Sequence, residues 1–277
     1  MISSSRILLT IPSLLLALNL VSCVSDEEVR LTTDMTVEGI EMFNTSFALS
    51  EHINLLVLPY EQYTNTGNDT LPLPGCPTIE VNDAEKKVLL TFSPTPPCPN
   101  SNIRRTGSIS LHYTKSLISN DETVLVEYAD YTVRNIRLEG SRLITKRMHV
   151  DEERYTDRMI RLMVYDENES STRINAEYEH QLLYNIDSSY SITSTGTGGG
   201  RNLAGRSFTH SITSPRIIQS KCVDEGIFVP NSGRESWTIE RTVTSAVTHQ
   251  LNFGESAECD NNVSVILSSG ETFTVSP

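Results

Sequence analysis

From Pro77 to its end the chain alternates apolar and polar residues. Ile109, Leu111 and Tyr113 interleave with Ser108, Ser110 and His112, the period-two signature of a half-buried strand. Trp237, Ile239 and Val243 share one parity, and His249, Leu251 and Phe253 share the next. Val263, Val265 and Leu267 alternate before a Ser268–Glu271 turn, and Phe273 with Val275 continue beyond it. Ala176, Tyr178, His180, Leu182 and Tyr184 mark one face of a long strand. Stretches 122–134 and 154–165 read as strands longer than the usual five or six residues or so. The expected fold is mainly β: an extended antiparallel meander over 77–277, built as two repeated halves or a sandwich.

A helix is expected once, over 38–57, with Ile40, Phe43, Phe47 and Leu55 at three-to-four spacing, Met42 and Ile53 flanking, and Thr36 as N-cap. Its apolar face should dock on the sheet. A turn-rich linker, Pro59–Gly75, follows and completes a 38–76 segment.

Two echoes suggest repetition. Leu90-Thr91-Phe92-Ser93 precedes Cys98 as Leu251-Asn252-Phe253-Gly254 precedes Cys259. Leu138-Glu139-Gly140 echoes Leu203-Ala204-Gly205, each read as a strand followed by a glycine-permitted kink or bulge. Two halves would meet near 195–205. Gly196-Thr197-Gly198-Gly199-Gly200-Arg201 lacks the Gly-Lys-Ser/Thr ending of a phosphate loop and opens no helix; it reads as a flexible hairpin loop.

The N-terminus carries Arg6 and then an apolar run, Ile7–Leu20, interrupted by Thr10, Pro12, Ser13 and Asn19. A permanent span needs about 20 apolar residues, whereas this run suits a secretory signal. It ends Leu20-Val21-Ser22-Cys23, which resembles the lipobox of bacterial lipoproteins. That resemblance implies removal of residues 1–22 and acylation of Cys23, with 23–37 as an acidic tether. One acyl chain binds only marginally, so the several chains of such an anchor give lasting attachment. Val24-Ser25-Asp26-Glu27-Glu28 resembles the surface-export signal of Bacteroidota lipoproteins, and Asp69-Thr70-Leu71 resembles their O-glycan acceptor, at Thr70.

The net charge is −13. Without Arg6 there remain 21 basic against 35 acidic residues, or −14. Nucleic-acid partners need basic patches and are not expected. Cys76, Cys98, Cys222 and Cys259 are even in number, and an oxidising compartment makes them two disulfides. Three connectivities are open. Proximity favours Cys76–Cys98 and Cys222–Cys259, each contributing about 3 kcal/mol by loop closure. A zinc site of four cysteines is the alternative, but no Cys-x-x-Cys knuckle is present.

Chemistry lacks a local signature. His52, His112, His149, His180, His210 and His249 are scattered, with no His-Glu-x-x-His, and read as surface or strand-filling residues. There is no Gly-x-Ser-x-Gly elbow. Asp166-Glu167-Asn168-Glu169 reads as an exposed hairpin tip rather than a calcium site. Tyr113, Tyr128, Tyr131, Tyr155, Tyr165, Tyr178, Tyr184 and Tyr190 could stack on sugars or partners if exposed, but buried sheet tyrosine is the favoured reading. No catalytic residue, metal or cofactor is expected.

Cys76-Pro77-Thr78-Ile79, Arg105-Thr106-Gly107-Ser108-Ile109 and Asn252-Phe253-Gly254 with Cys259-Asp260-Asn261-Asn262 together resemble a group of Bacteroidota lipoproteins. The resemblance implies an anchored β domain and transfers no catalytic residue. The expected function is that of an outer-membrane, surface-facing binding or scaffold lipoprotein, its partners the membrane through lipid and a glycan or envelope protein. A polysaccharide-active enzyme or accessory subunit is the alternative, and a structural envelope or fibre component the second.

Overall fold

In the computed structural model, residues 34–65, 73, 75–94, 103–117, 121–148, 153–185, 189–255 and 259–277 are described. The chain enters through helix α1 (Met35–Ser50), a short α2 (Ile53–Leu56) and α3 (Tyr60–Asn65). Asp34, not Thr36, caps α1: its Oδ1 accepts the Thr36 N–H at 2.8 Å, satisfying an otherwise orphaned donor of the first turn. The helical segment breaks at Glu51 and His52, whose side chains turn away to polar partners on the sheet. The linker expected to be turns alone contains α3, and the Tyr63 hydroxyl of α3 donates back to the Leu55 carbonyl at 2.8 Å.

The strands are β1 (Thr78–Asn82), β2 (Lys87–Phe92), β3 (Arg105–Lys115), β4 (Glu122–Val133), β5 (Ile136–Met148), β6 (Glu153–Tyr165), β7 (Ser171–Tyr184), β8 (Tyr190–Arg201) and β9 (Ser207–Gln219). After α4 (Ser220–Asp224) come β10 (Ser232–Thr242), β11 (Ser245–Glu255), β12 (Val263–Ile266) and β13 (Thr272–Val275). Each strand pairs antiparallel with the next, in chain order, within a single sheet. The expected meander is therefore present as one run. The sheet passes through 195–205 without a seam, since β8 pairs with both β7 and β9 there, and Asp34–Pro277 forms one compact unit.

Bulges bend this sheet. Register shifts fall at Thr106/Ser108, Tyr128/Thr132, Glu139/Arg142, Met159/Leu162 and Ser194/Thr197. Each adds local twist and bends its strand, so the sheet curls around α1. Residues Glu38 to Glu51 accordingly meet β3, β5, β7, β9, β10 and β11. Met42, Phe43, Phe47, Ala48 and Leu49 are buried with polar Glu38, Thr45 and Ser46. A helix covered on nearly all sides is not limited to one apolar stripe. Ile40, expected in the docked stripe, is 41 % exposed instead.

The strand parities hold for Ile109, Leu111, Leu251, Phe253, Val263 and Val265, all buried. They fail at strand ends: Val243 lies in the β10–β11 turn and Tyr184 leaves the core, both exposed. Gly140 lies at the β5 bulge as expected, whereas its echo Gly205 is a turn residue, its N–H donating to the Asn202 carbonyl at 2.8 Å. The Gly196–Arg201 tract is not a loop but the second half of β8. Gly196 holds φ +142° opposite Glu177 and Tyr178, and a Cβ on Gly200 would stand 1.8 Å from the Arg173 carbonyl oxygen. Close strand approach, rather than flexibility, requires the glycines.

Cys222 is joined to Cys259, tying α4 to the segment after β11. Cys76 is also disulfide-bonded. With three of the four cysteines oxidised, the zinc alternative loses its thiolates. Cys23, Thr70, Cys98 and His149 lie outside the described residues.

Candidate functional site

The concave face carries an unusual load of charge. Next to Tyr128 and Tyr131, the Glu51 carboxylate receives the Arg105 guanidinium at 2.8 and 3.0 Å and the Tyr131 hydroxyl at 2.5 Å. His52 bridges onward: Nδ1 lies 3.0 Å from Glu51 Oε1 and Nε2 lies 2.7 Å from the Tyr128 hydroxyl. Arg142 Nη1, 3.2 Å from the same Nε2, can only donate. Nε2 therefore accepts and Nδ1 carries the proton to Glu51, which fixes the tautomer. Arg142 also donates to the Leu49 carbonyl at 2.9 Å and clamps both oxygens of Asp157.

A second cluster lies on β9 and β10. Glu235 accepts from Arg216 at 2.6 Å, Ser46 at 2.7 Å and Trp237 at 3.0 Å. His210 Nε2 stands 3.2 Å from Glu235 at ion-pair distance, but without an aligned hydrogen bond. A third cluster centres on Glu38, which meets Arg206, Arg241 and His249. Four of the six histidines thus face buried carboxylates, the fourth being His180 on Asp157.

Titration follows from these contacts. Burial by itself would raise the Glu51 carboxyl, but Arg105 overrides it and holds the group down at about 2. Glu235 is likewise held at about 2, burial opposing and Arg216 with His210 prevailing. Asp157 is pushed below the usual carboxylate range by Arg142 and His180 against its burial. His52 and His180 are shifted down, first by burial, then by neighbouring guanidiniums, so both are neutral at pH 7.

Asp157, His180 and Ser194 have the connectivity of a nucleophile relay: His180 Nε2 is 3.2 Å from Asp157 and Nδ1 is 2.8 Å from the Ser194 hydroxyl. Such a relay needs a reachable hydroxyl. Ser194 is 3 % exposed and His180 2 %, and Arg142 already neutralises Asp157. The relay is a sealed structural element.

Accessible chemistry lies instead at the end of the sheet where α1 begins. The β8–β9 turn, Asn202–Arg206, separates two hollows. One, about 470 Å³, is walled by Val37, Ile40, Phe43, Ile136 and Val275 under the β4–β5 and β6–β7 turns. Glu41 lies on its floor, accepting from Thr172 at 2.5 Å and the Leu203 N–H at 2.8 Å. Its carboxyl is raised by burial, its hydrogen bonds opposing. The other hollow, about 620 Å³, lies between the β8–β9 and β10–β11 turns and is lined by Arg201, Arg206 and Arg241.

Asp166–Glu169 forms the exposed β6–β7 turn anticipated for it: Asp166 Oδ1 accepts from Asn168 and Ser170 N–H groups, and Glu169 pairs with Arg137. Tyr113, Tyr128, Tyr131, Tyr155 and Tyr178 are core residues. The histidine–carboxylate pairs bear no mark in the sequence: His249 and Glu38 lie 211 residues apart, and His52 and Glu51, though adjacent, match no catalytic or metal motif. Among the described residues no three potential ligands are grouped to hold a metal, and no helix is long and apolar enough to cross a membrane. Comparisons with protein-family models, curated proteins and solved structures find no match to this chain.

Proposed function

We propose that the protein is a lipid-anchored binding module without catalytic activity, held in the outer membrane through Cys23 and presenting the α1-entry end of its sheet to partners at the cell surface. The observation that carries this reading is the fate of the buried acids. Glu51, Asp157 and Glu235 are each neutralised by a guanidinium and kept ionised. Glycoside hydrolysis needs one carboxyl that holds a proton near neutral pH and a second that stays charged, both reaching the substrate. These groups are sealed, while the two hollows beside α1 are open.

Glu41 keeps the polysaccharide-active alternative alive, as a carboxyl raised by burial on the floor of a hollow. If that alternative is right, Glu41→Gln abolishes a measurable hydrolysis of envelope or extracellular glycans. If the binding reading is right, no hydrolysis exists to abolish.

The anchoring half is tested on intact cells by protease treatment of the native protein and a Cys23→Ala variant. The native form should pellet with membranes and be degraded while the outer membrane is intact, and the variant should leave the membrane fraction. Protection of the native form until lysis would remove the surface assignment. A Cys23→Ala variant that stayed membrane-bound would remove the anchor.

A further inference from the structure

We infer that the cleft between the β8–β9 and β10–β11 turns binds an oxyanion carried on a sugar: a carboxylate, sulfate or phosphate on a polyhydroxylated ring. The inference rests on the binding-module reading and supplies its ligand class. The chain carries a net charge of −13, yet this cleft gathers Arg201, Arg206 and Arg241. Such a local reversal of sign concentrates anions where the rest of the surface repels them.

The arginines are positioned from below. Glu38, on the first turn of α1 and 1 % exposed, takes both terminal nitrogens of Arg241 and one of Arg206, the last at 3.2 Å. His249 Nε2 stands 3.3 Å from the same carboxylate. Glu38 thus holds two guanidiniums side by side at the floor of the cleft. The side chains of Arg206 and Arg241 are 20 % and 16 % exposed, and both line the cleft. Preformed planar guanidiniums suit a two-oxygen anion better than a mobile ammonium does.

Arg201 stands at the rim, one Nη donating to the carbonyl of Gly205 at 2.8 Å. Around the arginines, Ser207, Thr242 and Thr244 add hydroxyls, which can both donate and accept as sugar recognition requires. Glu240 is the acidic side chain of the wall and offers an acceptor for ring hydroxyls. About 620 Å³ falls within the range of small-ligand sites, roughly 300–1,000 Å³.

The test titrates the purified full chain with a sulfated dextran oligosaccharide, an oligogalacturonate, a phosphorylated sugar and neutral dextran, by calorimetry at low and physiological salt. At least one acidic probe should bind and neutral dextran should not; the probe that binds identifies the anion. Arg201→Glu should weaken that binding about tenfold or more, with an unchanged Tm because Arg201 is exposed. Arg158→Glu reverses a charge that is 60 % exposed beside Glu177, outside the cleft, and should leave affinity intact. Failure of every acidic probe to bind overturns the inference. So does equal weakening by Arg201→Glu and Arg158→Glu, which would mean diffuse charge attraction. Either failure leaves the membrane fractionation above untouched, so the anchor and the ligand class are judged separately.

Discussion

Arg142 is fully buried and meets four partners at once: Asp157, His52, the Leu49 carbonyl and the Tyr128 hydroxyl. An ion pair in that position owes its value to completeness, because removing one member leaves a buried charge without compensation. Asp157→Asn should therefore destabilise the protein by about 3–5 kcal/mol in urea unfolding. The double change Asp157→Leu with Arg142→Met should cost clearly less, since it removes both charges together. Equal losses for the single and double variants would show that packing volume, not charge pairing, sets the cost. Neither residue stands out in the sequence. Arg142 follows a glycine-containing stretch and Asp157 sits in an alternating strand, where polar residues ordinarily face solvent. The β5–β6 bulge between Glu139 and Arg142 intervenes in the alternation there, and Arg142 lies in the core.

At the scale of elements, β8 carries the clearest disagreement between composition and conformation. A run of glycine and threonine suggests a loop because glycine weakens strands by its backbone entropy. Here the neighbours come too close for any side chain, so the entropy cost is accepted for proximity. Gly200→Ala should destabilise by about 1–3 kcal/mol, as overpacking does, whereas nothing lies within 4 Å of a Cβ on Gly205. Gly205→Ala then carries only the strain of its positive φ, about 1 kcal/mol. Denaturant midpoints of the two variants read this directly, and a neutral Gly200→Ala would mean β7 and β8 stand further apart. Helix α1 was legible from its spacing, but its surroundings were not. Its buried Glu38, Thr45 and Ser46 look like a solvent face until a curled sheet covers them.

For the whole molecule the buried pairs set a pH response. Glu51 and Glu235 titrate at about 2 in the fold and near 4.5 when unfolded, so their contribution is complete above pH 4.5 or so and lost as pH falls toward 2. His52 and His180 have folded values below their ordinary one; the unfolded chain binds those protons first, and stability declines as pH drops below about 6.5. Each such group adds a slope of up to about 1.4 kcal/mol per pH unit. Urea midpoints should therefore fall modestly between about pH 7 and 5.5 and steeply by about pH 3.5. A flat profile from pH 7 to 4 would contradict neutral, buried histidines.

The sequence by itself determined the antiparallel meander and the entering helix, favoured Cys222–Cys259 among three open pairings, and anticipated the burial of Tyr113, Tyr128, Tyr131, Tyr155 and Tyr178 though not the exposure of Tyr184. Each follows from local periodicity or from residues close in the chain. Tertiary structure alone decided which polar residues became core. Bulges curled the sheet around α1 and brought Glu38 to His249, Glu51 to Arg105 and Glu235 to Ser46 across separations of 211, 54 and 189 residues. It also decided where the arginines gather, because two hairpin tips adjacent in space are separated in sequence by the whole length of β9 and β10. Period-two patterning records only which face of a strand a residue occupies; the curvature that turns one face into an enclosed, charged interior is a property of the assembled sheet.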